Sequence, residues 1–328
     1  MIITRTPFRI SFCGGGSDLS SFYSEHGGCV ISTTIDKYMY INIHPCFAEN
    51  TTILKYSKTE IINDIKKIDH KIFNQVLNDF KLHNVEISVT ADVPAGTGLG
   101  SSSSFTVGLL NLIYCYLGKY VSKSKLAELA CEIEIEKLKN PIGKQDQYAA
   151  AFGGLNYYKF YKDGSVSVQP IIVNKDTYKK LQSNLLMFYT GEVRNASNIL
   201  CEQNKNMSDC DKVNNLIQIC KLTDAMKVEL EKSNLSKFGE ILYESWLLKR
   251  SLASGITSPE IDGYFDIAMS NGATGGKLLG AGGGGFLLFY CEQENQERLR
   301  KSLGLREMSF KFEQDGTSVI FDGNNYRD

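Results

Sequence analysis

Asp92-Val93-Pro94-Ala95-Gly96-Thr97-Gly98-Leu99-Gly100-Ser101-Ser102-Ser103-Ser104 decides how the rest of the chain is read, because a strand runs into it and a helix runs out of it. Upstream, Val85 to Thr90 alternates and is rich in β-branched residues; downstream, Phe105 to Leu117 is almost continuously apolar. Glycines at 96, 98 and 100 allow a sharp turn whose N–H groups come close to a ligand. The serines that follow stand where a helix takes its N-cap, and where its unpaired N–H groups and positive dipole end favour an anion. The expected anion is a nucleotide phosphate. A glycine-serine loop before a helix is also an ordinary capped turn, so other parts of the chain have to carry the function. No lysine follows Gly100 as a Walker A loop requires, and the spacing is not that of a dinucleotide fingerprint.

The 328 residues suffice for two domains of ordinary size, and a chain 42% hydrophobic and 22% charged has the makings of sizeable cores. Formal net charge is -1 with basic residues scattered, which points to no nucleic-acid partner and no anionic membrane surface. Nine cysteines, an odd number without a CxxC pair, argue against zinc and against a disulfide framework. They are expected to be reduced thiols, mostly buried. Met1 to Pro7 is not a signal peptide and no apolar run is long enough to span a bilayer, so a cytoplasmic location is expected.

Working outward, Phe8 to Cys13 alternates as a strand and ends in Gly14-Gly15-Gly16-Ser17-Asp18, a turn with more glycine than a structural role needs. Cys29 to Thr34 and Tyr38 to His44 read as two further strands joined by a hairpin turn at Asp36-Lys37. From Thr59 to Phe80 the apolar spacing predicts one helix, and Ser124 to Leu138 predicts another, capped by Ser122 or Ser124. A short helix is expected near Asp146, then a hairpin around Asp163-Gly164 and a domain boundary at about residue 180. The second half predicts a strand over 185–190, helices over 211–232, 236–253, 258–270 and 293–302, and a second glycine-rich stretch from Gly272 to Gly285. Two glycine-rich loops, one entering a helix and one entering a strand, suit a nucleotide clamped between domains.

Three stretches resemble, in order, the motifs of the GHMP kinases, the small-molecule kinases named for galactokinase, homoserine kinase, mevalonate kinase and phosphomevalonate kinase. Thr6-Pro7-Phe8-Arg9 with Gly16 and Asp18 resembles the first motif, Pro94 to Ser104 the phosphate loop, and Lys277 to Phe286 the third motif. The resemblance implies an α+β fold of two domains, residues 1–180 and 181–328, the first ribosomal protein S5 domain 2-like and the second a ferredoxin-like α/β layer. It implies ATP, held by Pro94, Gly96, Gly98, Leu99, Gly100, Ser101, Ser102 and Ser103, and Mg2+. Phosphoryl transfer asks for positioning, charge stabilisation and a group that orients or deprotonates the attacking hydroxyl. By motif position that group is Asp146, in Gly143-Lys144-Gln145-Asp146-Gln147, with Arg9 beside it to lower the hydroxyl's pKa. The magnesium ligands would be Ser102, with Ser101 second, and Glu134, twelve residues before Asp146. Three glutamates at 132, 134 and 136 are otherwise a solvated helix face.

Asp18, with Gly15 and Gly16 before it, resembles the sugar-binding segment of galactokinases, and Gly283 belongs to the third motif. Gly14-Gly15-Gly16-Ser17 replaces the galactokinase Gly-Glu-His, which argues against galactose. The opening segment and Pro141 to Gly154 resemble most the heptose 7-phosphate kinases of nucleotide-activated heptose synthesis for bacterial surface polysaccharide; fucokinases share much of the pattern. The acceptor so implied is a sugar phosphate, phosphorylated at its anomeric hydroxyl. Its own phosphate would need a second cationic site, for which Arg194, Lys144 and Arg5 are the candidates. An unphosphorylated sugar such as fucose is the near alternative, and a non-catalytic nucleotide- or sugar-binding regulator the distant one. Monomer and homodimer are equally compatible with the chain.

Overall fold

A computed structural model describes residues 1–191 and 196–323, whose strands form one sheet of nine and one of four. The chain opens with β1 (Ile2–Cys13), α1 (Ser20–His26) and β2 (Gly28–Pro45). β1 and β2 pair antiparallel from Ile2 opposite Ile43 to Cys13 opposite Ile31. The expected hairpin at Asp36-Lys37 is instead a register shift within one 18-residue strand. It falls opposite Pro7/Phe8, and Pro7 has no N–H for the ladder, so the extra residues are taken up as a bulge. The bulge is docked by the chain's far end: Asp36 N–H donates to the Lys311 carbonyl at 2.9 Å, and Lys311 N–H donates to Asp36 Oδ1 at 2.7 Å.

The single helix expected over Thr59 to Phe80 is also corrected. After β3 (Thr52–Lys55) come β4 (Thr59–Ile62), a 3₁₀ turn at Ile65–Lys67, and only then α2 (Lys71–Asp79). Glu60 is the reason. Its buried carboxylate accepts from the Tyr56 hydroxyl at 2.6 Å and from the N–H groups of Asp69 and His70 at 2.8 and 3.3 Å. That network folds the segment into a hairpin and turn, leaving helical burial to Ile72, Phe73, Val76 and Leu77.

β5 (Val85–Ala91) extends the sheet beside β2 and delivers the chain to α3 (Ser101–Tyr116), a helix buried over most of its length. α4 (Lys123–Cys131) is capped by Ser122 and passes into a π-helical turn at Glu132–Lys137; α5 (Gln145–Phe152) and the hairpin β6 (Asn156–Phe160) and β7 (Val166–Pro170) follow.

α6 (Lys175–Ser183), β8 (Leu185–Tyr189), α7 (Ala196–Lys205), α8 (Cys210–Glu231), α9 (Leu235–Lys249) and α10 (Pro259–Ser270) lead to β9 (Ala273–Leu278) and β10 (Phe286–Cys291). The chain ends through α11 (Gln293–Leu303), β11 (Arg306–Glu307), β12 (Phe312–Glu313) and β13 (Ser318–Asp322). The second sheet has the antiparallel order β11-β8-β10-β9, while β12 and β13 return to pair with β2 and β1. Phe12 at the end of β1 meets Phe238 of α9 edge-on at 5.2 Å, and so brings the end of β1 against α9. No cysteine among the described residues forms a disulfide; Cys13, Cys29, Cys131 and Cys291 are buried, whereas Cys201 and Cys210 are exposed.

The first part of the glycine-rich stretch is strand β9, leaving 279–285 as the loop. A Cβ on Gly275 would stand 2.0 Å from the Gly239 carbonyl oxygen, so this glycine lets α9 lie directly on β9. Gly275→Ala is therefore expected to lower stability by about 1–3 kcal/mol, as overpacking against backbone does, and urea unfolding will measure it.

Candidate active site

The phosphate loop forms where β5 ends and α3 begins. Gly100 is the helix N-cap, in the left-handed conformation at φ 79°, and no side chain caps the helix. The serines thus do other work than the capping expected of them. Ser102 donates to Glu134 Oε1 at 2.6 Å, and Ser104 donates to the Pro7 carbonyl at 2.9 Å. With no side chain hydrogen-bonded to it, the positive end of a 16-residue helix keeps donors for an incoming anion. Leu99 is buried and its carbonyl accepts from Arg9 N–H at 3.1 Å, so it anchors the loop; Ser103 is buried too.

The two glycine-rich loops touch. A Cβ on Gly98 would stand 2.5 Å from the Leu279 carbonyl oxygen, and one on Gly285 would stand 2.4 Å from that of Thr97. Gly283, expected at the substrate, is buried and donates its N–H to the Ile256 carbonyl at 3.0 Å; its neighbours Gly280 and Ala281 border the cleft instead. Pro94, Gly96, Ser101 and Ser102 open onto a separate cavity of about 710 Å³ walled by Tyr56, Ile72, Val89 and Phe105. The cavity is apolar along that wall and lies beside the helix N-terminus.

Arg9, on β1, donates from Nε and Nη2 to Asp146 Oδ1 and Oδ2 at 2.7 and 2.8 Å, and from Nη1 to the Gly98 carbonyl. This fork joins the first strand, the start of α5 and the phosphate loop. Asp146 lies directly against that loop: a Cβ on Gly100 would be 3.3 Å from its Oδ2. Asp18 faces the same cleft, its Oδ1 accepting from Gly16 N–H at 3.0 Å and its Oδ2 from Gln145 N–H at 3.2 Å. Burial, and then the charge of Asp146, raise its pKa above the usual carboxylate value. Gly143 is glycine because a Cβ there would stand 2.0 Å from Asp18 Oδ2.

Glu134 is fully buried in the π-helical turn, and not on a solvated face; its Oε2 accepts from Gln147 Nε2 at 2.8 Å, and burial raises its pKa. Among the described residues no three His, Cys, Asp or Glu side chains cluster as a metal site. A cation here would take Glu134 and Ser102 and complete its shell with phosphate and water, the habit of magnesium.

Two expected cations do not reach this cleft. Lys144 donates to the Gly164 carbonyl at 2.6 Å and lies over the Tyr23 ring, in a different hollow. Arg5 pairs with Glu313 at 3.9 Å and stacks on Tyr38. Arg194 lies outside the described residues.

Besides Arg9, Lys249 reaches it, a residue that sequence reasoning missed. It ends the stripe Leu235, Phe238, Leu242, Ser245, Trp246 on the buried side of α9, where a lysine is out of place; that was the available signal. Its Nζ donates to the Gly280 carbonyl at 2.7 Å and would lie 3.4 Å from a Cβ on Gly15. Burial, and then Arg9, depress its pKa to about 8, against the pull of Asp18 and Asp146. Lys277, buried behind it on the Phe12 carbonyl at 3.2 Å, is depressed further by burial and by Lys249.

Sequence profiles for the GHMP kinases N terminal domain and the GHMP kinases C terminal region match residues 65–154 and 226–307. The chain belongs to the GHMP kinase family. It is accordingly an ATP-dependent kinase. A D-glycero-alpha-D-manno-heptose 7-phosphate kinase of Campylobacter jejuni is 28% identical to this GHMP kinase, over 96% of this chain and 97% of that one. An L-fucokinase/L-fucose-1-P guanylyltransferase of Bacteroides fragilis is 24% identical over 91% of this chain and 35% of its own. The crystal structure of a D-glycero-D-manno-heptose 1-phosphate kinase from Bacteroides thetaiotaomicron superposes with a TM-score of 0.80 at 25% identity, covering 98% of this chain and 99% of the other. No helix among the described residues is long and apolar enough to cross a membrane.

Lys249 makes this site's effect on stability depend on pH. A base whose pKa falls on folding, here from 10.5 to about 8, burdens the fold while protonated. The burden is complete below pH 8 and fades as pH rises to 10.5, so the group's contribution to stability increases across that window. Relative to the parent, Lys249→Met will therefore be more favourable at pH 7 than at pH 10.5; equal differences in urea unfolding at the two pH values would contradict this.

Proposed function

We propose that this GHMP kinase transfers the γ-phosphate of ATP to the anomeric hydroxyl of a sugar, and that the sugar is D-glycero-D-manno-heptose 7-phosphate, giving the 1,7-bisphosphate. The observation that carries the transfer is the contact of Asp146 with Gly100, which sets a carboxylate held by Arg9 at the edge of the phosphate loop. The names of the Campylobacter and Bacteroides relatives support the heptose, as do the opening motif and Pro141 to Gly154. Arg194, as read from the sequence, is our candidate for the 7-phosphate. We divide the chain near residue 180, shortly before β8 starts the second sheet.

In this reading the acceptor hydroxyl donates to Asp146 while Arg9 keeps the carboxylate in place. As the sugar oxygen bonds to the γ-phosphorus, its proton passes to Asp146, and the bond from phosphorus to the β–γ bridging oxygen breaks to release ADP. The N–H groups at the start of α3 and the loop backbone meet the phosphate charge. Glu134 and Ser102 would hold magnesium, which supplies charge neutralisation of the phosphates. Keeping Asp146, Arg9 and Glu134 together favours an enzyme over a binding regulator, which needs neither base nor metal ligand.

ADP release measured across phosphorylated and free heptoses, fucose and galactose, with the product's phosphate located by NMR, tests the substrate. Heptose 7-phosphate is expected to be used best, and equal or better turnover of a free sugar would overturn the choice. Asp146→Asn is expected to retain ATP binding while kcat falls by about 10²–10⁴, the range of general-base contributions. Near-parental kcat would remove Asp146 from the role.

A further inference from the structure

The acceptor cleft holds two polar atoms that the described residues leave unsatisfied. Gln203 Nε2, on α7, and Gln145 Oε1, at the start of α5, are buried and have no hydrogen-bond partner among the described residues. Both residues line the cleft with Arg9, Asp18, Asp146 and Lys249. An orphaned buried donor or acceptor is destabilising, and folded proteins retain few of them. A donor and an acceptor lining the same cleft match hydroxyl groups, which both give and take hydrogen bonds.

The triple glycine fits this use. A Cβ on Gly16 would stand 2.3 Å from Gln203 Nε2, and one on Gly15 would stand 3.4 Å from Lys249 Nζ and 3.7 Å from Gln145 Nε2. The glycines thus keep clear the space that these three side chains border. Lys249 has three N–H donors and, among the described residues, one hydrogen-bond acceptor, the Gly280 carbonyl. The cleft also carries a balanced charge: Arg9 and Lys249 oppose Asp18 and Asp146, and Arg9 is committed to Asp146. A phosphate dianion would find no surplus of positive charge there, whereas neutral hydroxyls would find donors and acceptors already in place.

We propose that Gln145, Gln203 and Lys249 form a hydroxyl-reading subsite that binds a neutral polyol portion of the acceptor, and that any phosphate on the acceptor is held outside it. The inference rests on the sugar-kinase reading above and identifies the residues that select the sugar. Lys249 is then a charge kept in the interior for binding and at the expense of stability, a common state of affairs at functional sites.

Calorimetric titration of the parent, Gln203→Leu and Lys249→Met with heptose 7-phosphate and with free heptose, without ATP, tests it, alongside KM for sugar and for ATP. Both variants are expected to weaken sugar binding roughly ten-fold or more, as stranded or lost buried hydrogen bonds do, and by the same factor for the phosphorylated and the free sugar. KM for ATP should stay within about two-fold of the parent, since neither residue lines the cavity that Pro94, Gly96, Ser101 and Ser102 open onto. Melting curves identify folded variants; if Gln203→Leu does not fold, Lys249→Met decides alone. Unchanged sugar affinity in the folded variants would overturn the subsite. A loss in Lys249→Met confined to the phosphorylated sugar would overturn it too, by making Lys249 the phosphate ligand. Failure of the kinase reading shows itself separately, as a parent that binds these sugars yet releases no ADP with any of them.

Discussion

The fork between Arg9 and Asp146 is the constraint on which the site depends. A guanidinium has one plane and a fixed set of donors, so two bonds to a carboxylate and a third to the Gly98 carbonyl leave it little freedom. Those three bonds hold a residue of the first strand, a residue of α5 and the crest of the phosphate loop in one geometry. Arg9 is 4% exposed, so water competes weakly for them. The carboxylate that would meet an attacking hydroxyl is thereby registered against the backbone that would meet the phosphate.

Around that fork the structure trades side-chain bulk for backbone contact. Gly98 against Leu279 and Gly285 against Thr97 let two loops from distant parts of the chain touch at their main chains. Any side chain would separate them, and with them the helix N-terminus and the cleft bordered by Gly280 and Ala281. The same region carries unfavourable electrostatics, with Asp18 and Glu134 raised in pKa by burial and Lys249 and Lys277 lowered. Hydrophobic contacts beneath it, such as Phe12 on Phe238, hold these charges in place.

Much of this was legible in the chain before any coordinates. The strand, glycine loop and apolar helix from Val85 onward form as read, as do the short helix at Asp146, the Asp163-Gly164 hairpin and the helices expected over 211–232, 236–253, 258–270 and 293–302, whereas α7 was not expected. Where the reading failed, a partner outside the local repeat had overridden it. Glu60 collects backbone donors from Asp69 and His70, which breaks a helical periodicity that looked continuous. Pro7 moves a break in pairing onto the opposite strand and turns an expected hairpin into a bulge. Lys144 and Gly283 sit in the right motifs, but their polar groups are taken by Gly164 and Ile256.

By itself the sequence determined the family and the order of its motifs, and it singled out Asp146, Arg9, Glu134 and Asp18 as candidates, because each lies in a local pattern of fixed spacing. The tertiary structure alone decided that Lys249, Gln145 and Gln203 face the same cleft as those residues. They come from three helices separated by many residues, and no periodicity or motif links them. Local geometry is written in short spacings, whereas the charge balance and unsatisfied hydrogen bonds of a cleft belong to side chains that only the folded packing brings together.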